Sequence, residues 1–124
     1  MARKMLSINS NRSMNYLLKT ITGVSYNVIT AEDPVEAMSS LKTIGEEIEC
    51  ILIDIDYQTE QNLDFIQHLK DSFLYQCPVI VLCSNKEIFD GDKLANVERV
   101  FYKPFDPLDL KKEIDEIIMR SLQK

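Results

Sequence analysis

Short apolar runs alternate along this chain with longer stretches in which apolar residues recur every three or four positions. The runs "KMLSIN" (4–9), "YNVITA" (26–31), "CILID" (50–54), "PVIVLC" (78–83) and "RVFYK" (99–103) are short and apolar, several of them β-branched, and read as strands. "RSMNYLLKTIT" (12–22) instead carries Met14, Leu17, Leu18 and Ile21 at helical spacing. "NLDFIQHLKDSF" (62–73) puts Leu63, Ile66, Leu69 and Phe73 on one stripe, with Phe65 at its flank.

Two further stretches announce their own helix starts. In "DPVEAMSSLKTI" (33–44), Asp33 is a good N-cap, Pro34 suits the first helical position and Glu36 can close a capping box. "DPLDLKKEIDEIIMRSLQK" (106–124) repeats the Asp-Pro start at Asp106 and Pro107, and its stripe runs through Leu110, Ile114, Ile117, Ile118 and Leu122. "SNKEIFDGDKLAN" (84–96) is weakly patterned and contains Gly91, so a short or irregular helix is expected there.

Five strands separated by helices make an α/β, (βα)5 pattern. Strands apolar on both faces call for a doubly wound parallel five-stranded sheet covered by helices on each side. Right-handed crossovers leave few topologies, of which the flavodoxin-like order 2-1-3-4-5 is a common one. Such sheets carry their sites at the carboxyl ends of the strands, at the switch point between strands 1 and 3. The third strand ends in "ECILIDID" (49–56), an apolar run closed by two carboxylates. A buried carboxylate must be paired, hydrogen-bonded or metal-bound, so Asp54 and Asp56 are expected at the mouth of that cleft and not in the core. Strand 1 delivers Asn9 and Ser10 to the same edge, strand 4 Cys83 and Ser84, and strand 5 Lys103.

Composition narrows the classes. A chain of 124 residues suits one domain, taken as 1–124, and 45% hydrophobic with 27% charged residues reads as globular. The net charge of −6 argues against direct nucleic-acid binding, although a local basic patch is compatible with an acidic total. The N-terminal stretch reads as neither a signal peptide nor a membrane span, and cytoplasmic residence is expected by default. Cys50, Cys77 and Cys83 are odd in number, have no C-x-x-C spacing and read as reduced, mostly buried residues. No glycine-rich phosphate loop, nucleophile elbow or zinc spacing is present.

With Asp54 at a strand end, and Lys103 followed by Pro104 and Phe105, the chain resembles a receiver domain of two-component response regulators, the chemotaxis-regulator-like fold. The resemblance covers nearly the whole length: "YNVITAEDPVEAMSSL" is similar to the second strand and helix, "ILIDIDYQTEQNLDFIQHL" to the third pair, "PVIVL" to the fourth strand and "YKPFDPLDLKKEI" to the Lys-Pro-Phe ending and last helix. It implies that Asp54 is the phosphoacceptor, taking a phosphoryl group from a histidine kinase, a phosphotransfer protein or a small phosphodonor. Such a reaction needs an ionised nucleophile, a divalent cation, here Mg2+, and a fixed positive group, which Lys103 would supply. The Lys103–Pro104 bond is a candidate cis peptide. A plain salt bridge at the sheet edge is the plainer account of Asp54 and Lys103.

The departures from the family pattern bear on function. Receivers usually end strand 1 with a pair of acidic metal ligands, where this chain has the neutral Asn9 and Ser10. A cation site made of Asp54, Asp56, Asn9 and Ser10 is therefore weakened or lost. Asp56 holds the position that offers a backbone carbonyl to the metal; by the two-residue strand period its side chain joins that of Asp54, or else it is a solvent-facing loop acid. Cys83 replaces the Ser or Thr that hydrogen-bonds the phosphoryl group; it is a weak donor, its other reading is strand-end packing, and Ser84 stands next to it. The aromatic switch position is Val100, with Phe101 and Tyr102 displaced in register and expected to face elsewhere. His68 reads as a surface residue, and Met38 and Met119 as packing residues.

Three functional readings follow. The first is a receiver module of a two-component phosphorelay, not an enzyme beyond self-phosphorylation on Asp54, which is expected to be weak. Its partners are the phosphodonor protein, a downstream protein and, through the face that receivers often use, a second copy. The second is a phosphorylation-independent pseudo-receiver acting as an interaction scaffold. The third is a small flavodoxin-like enzyme or cofactor binder, which lacks a phosphate-binding loop.

Overall fold

The computed structural model describes residues 3–72, 77–85 and 97–122. Its elements are β1 (Arg3–Ile8), α1 (Arg12–Thr22), β2 (Tyr26–Ala31), α2 (Pro34–Ile44), a 3-10 turn (Gly45–Glu47), β3 (Ile48–Asp54), α3 (Thr59–Asp71), β4 (Val79–Cys83), β5 (Arg99–Tyr102) and α4 (Pro107–Leu122). All neighbouring strands pair in parallel, in the order β2-β1-β3-β4-β5. Phe73 and most of the weakly patterned 84–96 stretch, with its expected helix, lie outside the described residues.

The two-residue strand period sorts the core into two layers. Leu6, Ile8, Ile51, Ile53, Val79, Val81 and Cys83 face one side of the sheet, where Ala37 and Leu41 of α2 and Leu63, Phe65, Ile66 and Leu69 of α3 cover them. Met5, Cys50, Leu52, Ile80 and Leu82 face the other, under Leu18 of α1 and Leu110, Ile114, Ile117 and Ile118 of α4. Each fully buried aliphatic side chain contributes about 1.5–3 kcal/mol relative to exposure. Cutting Leu52 to Ala in the middle of the central strand would cost about 2–5 kcal/mol.

Helix starts follow the local chemistry. Asp33 Oδ1 accepts from the Glu36 backbone N–H at 2.8 Å, while the Glu36 carboxylate reaches one residue further back than a capping box requires, to the Glu32 N–H at 3.3 Å. Asp106 caps α4 by accepting from the Leu108 N–H at 2.9 Å. The apolar stripe of α1 differs from the expected one. The helix buries Asn15, Leu18 and Thr22, and Leu17 is exposed. Polar Asn15 can turn inward because Ser7 donates to its Oδ1 at 2.6 Å and its Nδ2 donates to the carbonyl oxygens of Asn9 and Ala31, both at 3.2 Å.

On β5, Val100 and Tyr102 pack on the layer under α2 and α3, whereas Phe101 joins the opposite layer and meets Phe105 edge-on at 6.2 Å between ring centres. Tyr102 therefore shares the face of Val100, as a two-residue period dictates, and only Phe101 faces elsewhere. His68 is exposed on α3. No helix among the described residues is long and apolar enough to cross a membrane.

Candidate functional site

Because β1 pairs with β2 on one side and β3 on the other, the chain leaves its carboxyl end in one direction and returns in the other, opening a crevice at that edge. Asn9 follows β1 there, Asp54 ends β3, Ser84 follows β4 and Lys103 follows β5. Backbone bonds fix the frame: the Asn9 N–H donates to Ala31 O at 2.9 Å, Ile55 N–H to Leu82 O at 3.0 Å and Lys103 N–H to Cys83 O at 2.8 Å.

Asp54 is the most buried acid of the group, with 5% of its side chain exposed. Lys103 Nζ lies 2.5 Å from Asp54 Oδ2, and the Asn9 side-chain amide donates to the same oxygen at 3.2 Å. Asp54 Oδ1 accepts from the Asp56 backbone N–H at 3.0 Å. The Lys103–Pro104 peptide is cis.

Asp56 reaches the site by a route other than strand continuation. β3 ends at Asp54, and the chain turns through Gln58, which adopts the left-handed conformation at φ 52°. Asn62 holds this turn by donating to Tyr57 O at 2.7 Å and Gln58 O at 3.2 Å, and the Thr59 hydroxyl donates to Ile55 O at 2.7 Å. Within the turn the Asp56 carboxylate faces β4 and β5. Its Oδ1 accepts from the Ser84 N–H at 2.7 Å, and its Oδ2 accepts from the Ser84 hydroxyl at 2.7 Å and from Lys103 Nζ at 2.9 Å. Lys103 is thus shared by two carboxylates, which leaves the trio one negative charge. Burial pushes the Asp56 carboxyl up, but the bonds from Lys103 and Ser84 outweigh it and hold the group below its ordinary value. Burial pulls the Lys103 ammonium down, and its bonds to Asp54 and Asp56 more than offset this, so it sits above its ordinary value.

Cys83 lies fully buried in the layer under α2 and α3, with its Sγ 3.8 Å from Asn85 O. Burial, and after it the charges of Asp56 and Asp54, push its thiol up to about 11. The polar neighbour facing Asp56 is Ser84. Asn62 was not singled out by sequence, because it sits in the polar start of α3, beside Glu60 and Gln61, where nothing marks it as the buried one.

These side chains, as arranged, do not fit a divalent cation. Both oxygens of Asp54 face donors, the Asn9 amide turns its N–H toward Asp54 while its Oδ1 accepts from the Asn11 N–H at 2.9 Å, and both Asp56 oxygens are engaged. Ser10 is exposed. Among the described residues no group of three or more His, Cys, Asp or Glu side chains converges as ligands would.

No family model matches the chain, and no curated protein does. Similarity is to solved structures. A response regulator receiver domain protein from Clostridium thermocellum is 20% identical, with a TM-score of 0.84 over 99% of this chain and 98% of the other. The chemotaxis response regulator CheY4 of Vibrio cholerae is 20% identical, with a TM-score of 0.80 over 94% and 99%. A response regulator receiver modulated diguanylate cyclase from Pelobacter carbinolicus is 26% identical, with a TM-score of 0.76 over 96% and 93%.

Proposed function

This chain has the fold of response regulator receiver domains over nearly its whole length, and from that premise we propose that it is a receiver module of a two-component phosphorelay whose acceptor is Asp54. The observation that carries the reading is Lys103 Nζ at 2.5 Å from a carboxylate that ends the third strand at the topological switch point. An oxygen of Asp54 attacks the phosphorus of the donor, the bond from phosphorus to the donor's imidazole nitrogen or acetate oxygen breaks, and the electron pair leaves with the donor. The product is an acyl phosphate. Lys103 offsets the charge that gathers on the phosphoryl oxygens, as a fixed cation does in phosphoryl transfer. A histidine kinase or phosphotransfer protein is the donor, and output passes to a downstream protein through surface contacts.

A second reading, the phosphorylation-independent scaffold, is favoured by one feature: neutral Asn9 and Ser10 stand where receivers keep acids, so the acceptor lacks the usual cation shell. Intact mass after incubation with acetyl phosphate, with and without magnesium, separates the two. Under the first reading a phosphoryl adduct forms on the wild type and not on Asp54→Asn. A folded wild type that takes no adduct from acetyl phosphate or from a phosphorylated histidine donor would leave the scaffold reading standing.

A further inference from the structure

Three donors converge beside Asp54: the Ser84 backbone N–H, the Ser84 hydroxyl and the Lys103 ammonium. They come from the ends of two adjacent strands and all point at one anionic group, the Asp56 carboxylate, at 2.7, 2.7 and 2.9 Å. Such a set, a backbone N–H, a hydroxyl and a fixed cation, is what a tetrahedral oxyanion recruits. We propose that Asp56 is an internal occupant of this oxyanion cradle, a latch that must swing out before a phosphoryl-like group can settle against Asp54.

The placement of the two acids supports a movable latch. Asp54 is held by its strand and is buried, whereas Asp56 lies beyond the strand end with 28% of its side chain exposed. Turning Asp56 outward gives up three hydrogen bonds, and fuller hydration of a carboxylate already partly in water offsets part of that loss. With the latch closed, an incoming oxyanion finds its donors taken and meets a second negative charge. With the latch open, both Ser84 donors are freed together and Lys103 keeps Asp54 as its one remaining carboxylate partner in this trio.

The consequence for phosphoryl transfer rests on Asp54 being the acceptor; the anion-binding property does not. The test therefore has two limbs. In the first, the Ser84 amide resonance is followed during titration with inorganic phosphate in the absence of metal, for the wild type, Asp56→Ala and Asp56→Ala with Ser84→Ala. Asp56→Ser serves in place of Asp56→Ala if the latter loses its native amide spectrum. Opening the latch is expected to tighten phosphate binding about tenfold or more, and removing the Ser84 hydroxyl to cancel most of that gain. Equal affinity in wild type and Asp56→Ala overturns the latch, as does a gain that survives Ser84→Ala, which would be simple relief of repulsion.

In the second limb, the rate of adduct formation with acetyl phosphate is compared across the same proteins. Faster labelling of Asp56→Ala supports latch and acceptor together. Labelling of the wild type at the same rate as Asp56→Ala overturns the latch and keeps the acceptor. A phosphate response in the first limb, with no adduct in the second from acetyl phosphate or from a phosphorylated histidine donor, supports the latch and removes the acceptor reading.

Discussion

The side-chain amide of Asn9 donates to Asp54 Oδ2 at 3.2 Å, so strand β1 offers the central carboxylate a proton donor where an acid would offer a shared cation. The polarity of the site follows from this one position. Asn9→Asp removes the donor and sets a second carboxylate against a buried one. In chelator the variant is expected to lose about 1–3 kcal/mol of stability, and millimolar magnesium is expected to restore most of it by binding the folded state. Urea unfolding with and without magnesium measures both. An Asn9→Asp protein indifferent to magnesium would show that something other than this amide keeps the cation away.

Lys103 stands between two acids, but its two partners are not equivalent. Asp54 has 5% of its side chain exposed and Asp56 28%, so loss of the ammonium strands a buried charge chiefly at Asp54. Lys103→Met is expected to destabilise the fold by about 3–5 kcal/mol. Adding Asp54→Asn should return a large part of that loss, whereas adding Asp56→Asn should return little. Chemical denaturation of the three proteins decides it, and equal rescue by the two second substitutions would mean that burial does not rank the partners.

The same trio gives stability opposite pH windows. The Asp56 carboxyl is held below its ordinary value, so the unfolded chain binds its proton more readily than the folded one. Its contribution is fully present above the unfolded value of about 3.9 and is lost as pH falls through the folded value. Lys103 is held above its ordinary value, so its contribution is complete below about 10.4 and is lost as pH rises through the folded value. Asp56→Asn is therefore expected to be less stable than the wild type at neutral pH, with the gap narrowing on acidification below about 3.9 and closing as pH falls through the folded value of Asp56. A gap that stays constant from neutral to acid would remove Asp56 from the pH response.

Strand order, helix starts and the meeting of Asp54 with Lys103 were legible because each depends on local signals. Two-sided apolar runs force a covered parallel sheet, and Asp33 and Asp106 mark their helices by capping chemistry. The partnership of Asp56 with Ser84 was not legible. Strand periodicity stops at Asp54, and the turn beyond it depends on a left-handed Gln58 and on Asn62, a conformation that no residue type there announces. Tyr102 was misplaced for the opposite reason: the period does continue to the end of β5, which keeps it on the face of Val100. In α1, apolar spacing alone favoured Leu17, and what outweighed it is a buried polar network invisible to hydrophobic pattern.

That network yields the last prediction. Asn15 accepts from the Ser7 hydroxyl and donates to the carbonyl oxygens of Asn9 and Ala31, tying α1 to the ends of β1 and β2. Ser7 and Asn15 are both buried, with 1% and 6% exposure, so a partner removed there is not replaced by bulk water. Asn15→Leu is expected to cost about 1–3 kcal/mol despite its added apolar surface, since it leaves the Asn9 carbonyl and the Ser7 hydroxyl without their donor and acceptor. Pairing it with Ser7→Ala should cost less than the two single losses added, because the second change removes a hydroxyl already orphaned by the first. Asn9 also carries the amide that faces Asp54, so Asn15→Leu should shift the Asp54 carboxyl resonance along with the stability. A stability loss with no shift at Asp54 would separate the α1 network from the site, and an Asn15→Leu protein as stable as the wild type would show that apolar packing can replace it.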